Sequence, residues 1–148
     1  MILQVRARGP KESVLRQLVR VRLDDAATLL KGGNPEQRNA AMYLSGYAAE
    51  CALKAHLCKQ TREARLPLRF HRHDLVWLAE QAGASHWSRE RRNSLSLVHG
   101  AWRVEMRYEL RPLDAADVSR FLARVREISK WLLSESGARS FRPSRTPR

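Results

Sequence analysis

Apolar residues recur at helical spacing near the start of the chain. A first helix is predicted from about Ser13 to Leu30, because its apolar residues follow one another at three- to five-residue intervals. These residues are Val14, Leu18, Val21, Ala26 and Leu29. The Lys31-Gly32-Gly33 sequence that follows predicts the end of this helix, since glycine readily terminates helices.

The second apolar pattern is the longest and predicts a helix from about Pro35 to Lys59, with Asn34 as its cap. Its stripe consists of Ala40, Leu44, Tyr47, Cys51, Ala55 and Cys58. The rest of its surface is rich in small residues, namely Ala41, Gly46, Ala48, Ala49 and Ala52. Small side chains let neighbouring helices approach closely, so this segment is predicted to be the central helix of a bundle.

The middle of the chain predicts a loop and then a short helix. Residues 62–72 carry several arginines and Pro67, and are predicted to form a basic loop. Asp74 is a suitable cap for a short helix that runs through Leu75, Leu78 and Ala82 and ends at Gly83.

Two further helices complete the predicted fold. Ser88 caps a fourth helix that runs towards Trp102, with Gly100 as a position where it could end earlier. The last helix is predicted from Asp114 to about Leu133, and its apolar residues lie on one side. These residues are Val118, Phe121, Leu122, Val125, Ile128, Trp131 and Leu132. Since no segment alternates apolar and polar residues with a period of two, the predicted class is all-α, an antiparallel bundle of four to five helices.

Charge changes this picture by indicating a partner. The 148 residues include 28 Lys and Arg but only 15 Asp and Glu, which gives a net charge of +13 and favours polyanions such as RNA. We divide the chain into a basic N-terminal extension (1–12), a helical domain (13–134) and a flexible basic C-terminal tail (135–148). The tail suits either solubility or an electrostatic arm for nucleic acid.

The sequence predicts a cytoplasmic protein that does not enter the membrane. No apolar run approaches the roughly 20 residues that a bilayer requires, and the N-terminus lacks an apolar signal region. Cys51 and Cys58 lie about 10 Å apart along the predicted helix, too far for a disulfide, so we expect reduced core cysteines.

The second helix carries a family resemblance. Its Ala-Met-Tyr-Leu-Ser-Gly-Tyr-Ala-Ala-Glu-Cys-Ala-Leu-Lys-Ala segment (Ala41 to Ala55) resembles the second helix of HEPN domains, the "higher eukaryotes and prokaryotes nucleotide-binding" family. His73-Asp74-Leu75 and Arg107-Tyr108 follow in the order that this family uses. The resemblance covers about residues 15–133 and implies a bundle of four or five helices that commonly dimerises.

Many HEPN proteins are metal-independent ribonucleases marked by Arg, four to six residues and then His. Arg92 and His99 have this form with six intervening residues, and the polar Asn93 follows the arginine. The segment from Val98 to Trp102 is similar to the toxins of MNT–HEPN toxin–antitoxin pairs, although those toxins usually have four intervening residues and a Tyr where this chain has Ala101. The resemblance implies RNA as substrate, a homodimer and a cognate nucleotidyltransferase-like antitoxin.

The chemistry of the two side chains agrees with that implication. Histidine exchanges protons near neutral pH and could take the proton of a ribose 2′-hydroxyl, whereas arginine stabilises charge on phosphate. On a continuous helix Arg92 and His99 are two turns and about 10 Å apart, so a two-fold dimer that brings both pairs into one cleft fits the spacing more easily than a monomeric site does. No metal or cofactor is expected. The competing interpretation is a solvated basic face with a locally hydrogen-bonded histidine.

A second register aligns Trp102 to Tyr108 with the "RY" signature of other HEPN branches, many without established nuclease activity. Here Arg103, Arg107, Tyr108 and Trp102 are candidates for binding phosphate and stacking on a base. Alternatively, the two aromatic residues pack into the core, and Glu105 and Glu109 pair with nearby arginines. This register favours a non-catalytic module that binds nucleotide, RNA or a protein. A third possibility is an adaptor that dimerises through its small-residue helix.

Two further groups have alternative interpretations. Glu50 and Lys54 have the spacing of an exposed helix ion pair, but Glu50 is also a candidate for orienting Arg92 or Arg107. His71, His73 and Asp74 could suggest a metal site. The neighbouring arginines would repel a cation, however, and no recognised ligand spacing is present, so no metal ligand is assigned.

Overall fold

The computed structural model describes residues 8–134 as a bundle of five α-helices. They are α1 (Glu12–Lys31), α2 (Arg38–Gln60), α3 (Leu75–Gln81), α4 (Arg89–Ala101) and α5 (Ala115–Leu132). Short 3₁₀ turns occupy Pro35–Gln37, Leu68–Phe70, Ala84–His86 and Val104–Tyr108. The described residues contain no β-strand, only one isolated bridge between Lys11 and Arg65. The predicted all-α class is therefore confirmed.

The described residues cover the predicted helical domain. The predicted tail at 135–148 and residues 1–7 of the predicted N-terminal extension lie outside them. Between residues 8 and 134, no helix combines the length and the apolar character needed to cross a bilayer.

Capping residues fix where three of the helices begin. The side chains of Asp74, Ser88 and Asp114 each accept hydrogen bonds from backbone amides in the first turn of the helix that follows. These contacts satisfy donors that a helix start otherwise leaves without a partner. Gly83 ends α3 with a φ of +85°, a left-handed conformation that glycine adopts without steric cost. Asp74, Ser88 and Gly83 act as the sequence predicted, whereas Asp114 was predicted only as the start of the last helix.

The start of α2 differs from the prediction. Asn34 accepts a hydrogen bond from the Glu36 amide at 3.0 Å, as expected of a cap. However, Pro35–Gln37 form a 3₁₀ turn, and the α-helix begins only at Arg38. The proline is compatible with both kinds of first turn, so the sequence could not distinguish them.

The predicted central helix, α2, is buried on nearly all sides. It packs most extensively against α1 and α5. Its fully buried small residues include Ala41, Ala48, Ala49, Ala52 and Ala55. Because these residues occupy little space, the side chains of both neighbours reach close to the α2 backbone.

The apolar faces of α1 and α5 form the opposite walls of the core. The core residues of α5 include Val118, Phe121, Leu122, Val125, Ile128 and Leu132, as predicted. Trp131, which was predicted with them, is only partly buried. In α1 the prediction was displaced, because Leu15 and Val19 are buried whereas Val14 is 43% exposed. Adjacent apolar residues such as Val14 and Leu15 support two different stripes, and contact with α2 decides between them.

The two cysteines are buried and free, as expected. Burial is the main cause that raises the pKa of each thiol, to about 11 in both cases. Both thiols are therefore neutral near pH 7 and behave as small core residues.

Candidate nucleic-acid interface

The α4 helix carries the predicted Arg92–His99 pair. It is anchored by Leu95 and Val98, which are buried beneath it. α4 is continuous from Arg89 to Ala101, so Arg92 and His99 lie two turns apart on one face, about 10 Å along the axis. Arg92 is exposed and His99 is half-buried.

The same side of α4 has other features that leave it accessible. Asn93 and Ser96 are exposed, and a Cβ added at Gly100 would meet no atom within 4 Å. Within residues 8–134, the side chains of Arg92 and His99 form no hydrogen bond and no ion pair. Both side chains are thus free to contact a ligand or a second copy of the chain.

The segment after α4 presents the second predicted cluster. Residues Val104–Tyr108 form a 3₁₀ turn, and Arg103 before it and Arg107 within it are exposed. Tyr108 is 74% exposed, and the Arg107 guanidinium carbon lies 4.9 Å from the centre of its ring. The alternative in which Tyr108 packs into the core is therefore wrong. No ion pair joins Glu105 or Glu109 to an arginine in the part of the chain described here.

Trp102 does not share this exposure, contrary to its candidacy as a stacking surface. Its ring is 4% exposed, and its Nε1–H donates a hydrogen bond to the Tyr43 carbonyl at 3.1 Å. The ring fills the space that Gly46 leaves on α2, where a Cβ would come within 2.1 Å of a ring atom. Trp102 is a core residue that fixes the end of α4, and it offers no face to a base.

Asn39 holds the segment after Tyr108 in place, a role that the sequence did not indicate. Its Nδ2 donates to the carbonyls of Glu109 and Arg111 at 3.0 and 2.8 Å, and its Oδ1 accepts from the Leu113 amide at 3.1 Å. These partners lie 70 or more positions away in the sequence. Local patterns cannot reveal such a contact.

Glu50, the predicted supporting residue, is buried rather than exposed. Its carboxylate is 2.5 Å from Lys54 Nζ, so the predicted ion pair forms, but Glu50 is 1% exposed and Lys54 is 9% exposed. His73 donates from Nδ1 to the same carboxylate at 3.0 Å. The residue that Glu50 orients is therefore His73, and neither Arg92 nor Arg107 contacts it.

The histidines and Asp74 around residue 73 have structural partners. His73 contacts Glu50, Asp74 caps α3, and His71 Nε2 lies 3.4 Å from the Leu66 carbonyl. Across residues 8–134, no three His, Cys, Asp or Glu side chains are grouped so that they could hold a metal ion.

No protein-family model matches the chain, and no curated protein or solved structure shows significant similarity to it.

Proposed function

We propose that the protein is a HEPN-type, metal-independent endoribonuclease of the toxin or defence kind, with a composite site formed across a homodimer. The observation that carries this proposal is the α4 face, where Arg92 and His99 lie two turns apart on a continuous helix. Both are accessible and uncommitted to other side chains in the described part of the chain. The helix-two resemblance and the all-α bundle support the same assignment.

The two side chains divide the work of cleaving RNA. His99 accepts the proton of the 2′-hydroxyl, whose oxygen attacks the neighbouring phosphorus, and Arg92 stabilises the charge on the phosphoryl oxygens. The bond from phosphorus to the 5′-oxygen breaks, the departing oxygen takes a proton from water, and His99 returns the proton that it accepted to the solvent. The products are a 2′,3′-cyclic phosphate and a 5′-hydroxyl, with no oxidant, metal or cofactor involved.

A second copy of the chain would complete the site. The backbones of Arg92 and His99 are about 10 Å apart along α4, so a two-fold dimer in which one copy's arginine meets the other's histidine fits this spacing more easily than a site within one copy does. The small exposed Gly100 and the polar Asn93 and Ser96 allow two α4 helices to approach each other closely. We further propose a cytoplasmic location and a nucleotidyltransferase-like antitoxin as the cognate partner.

RNA cleavage by the purified full chain in EDTA tests this proposal. His99→Ala and Arg92→Ala should abolish cleavage while the proteins remain folded, because both residues are off the apolar core. His86→Ala and Arg126→Ala, at exposed positions elsewhere, are the matched controls and should cut like the wild type. Intact RNA with the wild type, or full activity of His99→Ala, would refute the assignment.

Mixing the two inactive variants tests the composite arrangement. A heterodimer of Arg92→Ala and His99→Ala still contains one intact arginine and one intact histidine, on different copies. If these meet in one cleft, the mixture recovers part of the wild-type activity. If each site uses the pair from a single copy, the mixture stays inactive.

The exposed Arg107–Tyr108 stack favours a second candidate, a non-catalytic module that binds RNA or nucleotide. One face of the Tyr108 ring is covered by Arg107, and the 74% exposure of Tyr108 leaves surface for a base. Under this alternative Arg107→Gln with Tyr108→Ala lowers RNA affinity, and the wild type leaves RNA intact. Cleavage that depends on His99 would instead assign this surface to substrate binding.

A further inference from the structure

The loop between α2 and α3 carries two arginines stacked on aromatic rings. The guanidinium carbon of Arg69 lies 4.6 Å from the centre of the Phe70 ring, and that of Arg72 lies 4.2 Å from the Trp77 ring. The two rings contact each other with centroids 6.2 Å apart. Arg69, Phe70, Arg72 and Trp77 thus form one connected cluster, here called the arginine platform.

The platform arginines are exposed, and neither has an acidic partner within residues 8–134. In the described chain, neither Arg69 nor Arg72 forms an ion pair, in contrast to Arg16, Arg22 and Arg120, which each contact a carboxylate. Stacking uses the flat face of a guanidinium and leaves its N–H edge free for phosphate oxygens. This edge can donate two parallel hydrogen bonds to one phosphate.

The loop is fixed to the body of the protein, which distinguishes it from an ordinary solvated basic loop. The Leu66 amide donates to the Pro10 carbonyl at 2.9 Å, and the Glu12 amide donates to Ala64 at the same distance. Phe70 is 4% exposed and anchors the middle of the loop in the core.

The second anchor is the buried Glu50–Lys54 pair. The Glu50 carboxylate accepts a hydrogen bond from Nδ1–H of His73, which is next in sequence to Arg72. Burying an ion pair costs free energy unless each charged group has hydrogen-bond partners. Here the hydrogen bond from His73 supplies one of these partners and also holds the end of the loop in place. Because the loop is already ordered, phosphate binding loses less conformational entropy than at a flexible segment.

We propose that the arginine platform is a binding site for the phosphate backbone of single-stranded RNA, separate from the α4 face. The choice of RNA as the polyanion rests on the proposed function. Leu68, which is 59% exposed beside Arg69, adds an apolar surface for a ribose or base. The platform therefore combines fixed cationic edges with apolar contact, as sequence-tolerant binding of a single strand requires.

Binding of a labelled 2′-O-methyl RNA strand to the full chain tests the platform without cleavage, because this strand has no 2′-hydroxyl to attack the phosphate. Arg69→Gln with Arg72→Gln should raise Kd about tenfold and reduce the slope of log Kobs against log salt by about 1.4, the value for two lost phosphate contacts. Arg20→Gln with Arg126→Gln removes the same charge from exposed, unstacked positions and is the control.

Two conservative variants separate stacking from charge. Arg69→Lys with Arg72→Lys keeps the charge but loses the planar fork, and Trp77→Leu removes one ring while keeping both arginines. Each should bind more weakly than the wild type, in proteins whose thermal unfolding shows that they are folded. Wild-type affinity in the lysine variant would overturn the proposal, as would equal loss in the platform and control glutamine variants.

The outcomes also distinguish RNA from other anions and from the nuclease assignment. If the glutamine variant loses binding to vesicles of acidic lipid but binds RNA normally, the platform is not an RNA site. If the wild type fails to cleave RNA but the platform variants still bind the uncleavable strand weakly, the proposed nuclease function falls and the platform stands.

Discussion

At the residue scale, Gly46 shows how one absent side chain positions the candidate interface. Trp102 packs directly against the backbone of α2 at this position and donates to Tyr43, so it fixes where α4 ends and the exposed 103–108 segment begins. The sequence identified Gly46 as part of a small-residue surface. It could not identify Trp102 as the partner, because the two residues are far apart in the chain.

Gly46→Ala should destabilise the protein, although alanine normally favours a helix. The new Cβ would lie 2.1 Å from the Trp102 ring, and overpacking of this kind costs about 1–3 kcal/mol. Gly100→Ala is the matched control, because its Cβ meets open space, and it should gain up to about 1 kcal/mol from helix propensity. Urea unfolding measures both. Equal changes of the same sign in the unfolding free energy of the two variants would contradict this account.

His56 is a second residue whose burial has a measurable consequence. Its Nδ1–H donates to the Leu132 carbonyl at 2.9 Å, whereas Nε2 is buried without a hydrogen-bond partner in the described chain. Burial lowers the pKa of His56 below its ordinary value, helped by the positive charge of Lys59 and opposed by the Leu132 hydrogen bond. The folded state therefore keeps this imidazole neutral at a pH where the unfolded chain protonates it.

This shift predicts that acid weakens the fold through His56. As pH falls below about 6.5, His56 binds a proton in the unfolded chain but not in the folded chain. The free energy of unfolding therefore decreases by up to about 1.4 kcal/mol per pH unit. The loss levels off once pH falls below the pKa in the folded state. His56→Asn can still donate to Leu132 but does not titrate, so its unfolding free energy should fall less steeply from pH 7 to pH 5. Parallel curves for the two proteins would assign the acid sensitivity elsewhere.

At the element scale, the helices and their caps could be predicted because their signals are local. The predicted caps Asp74 and Ser88 act within one turn, and the apolar stripe of α5 has only one consistent face. The stripe of α1 was displaced because its apolar residues are too numerous to define one face. Only packing against α2 selects Leu15 and Val19.

The candidate site was less predictable than the helices, since its supporting contacts join distant segments. The i, i+4 spacing of Glu50 and Lys54 is the same for an exposed and a buried pair, so it gave no indication of burial. His73, which lies 23 positions from Glu50, completes the group and holds the loop. Arg92 and His99 were singled out through the family resemblance. Their placement two turns apart on one face followed from helix geometry, because both lie on one uninterrupted helix.

Asn39 allows a test of how one side chain holds two elements together. Its amide makes three hydrogen bonds that fix residues 109–113 between the exposed segment and α5. Asn39→Leu leaves those backbone groups without partners and should cost about 2–4 kcal/mol of unfolding free energy, with faster hydrogen exchange at Leu113. Asn93→Leu, at an exposed position of α4, is the control for stability. A loss below about 0.5 kcal/mol would show that water replaces the contact.

At the scale of the whole molecule, the net charge of +13 becomes informative only through its distribution. The α4 face, the 103–108 turn and the arginine platform are three exposed basic regions in the described chain, and each is fixed by a different buried contact. These contacts are the hydrophobic anchors of α4, the Trp102–Gly46 packing and the Glu50–His73 hydrogen bond. A rigid body with several cationic surfaces suits a long polyanion better than a small anionic ligand.

The proposed composite site makes its own prediction at this scale, because it requires close contact between two α4 helices. Gly100→Gln places a long side chain in space that is open in a single copy, so the fold should be unaffected or slightly stabilised. In the dimer the same side chain obstructs the second copy, and dimer affinity and RNA cleavage should fall together. Gly32→Gln is the matched control, since Gly32 ends α1 in a helical conformation and a Cβ there makes only ordinary contacts. Sedimentation equilibrium and the cleavage assay measure the two effects. Normal cleavage by a monomeric Gly100→Gln protein would show that one copy of the chain holds the complete site.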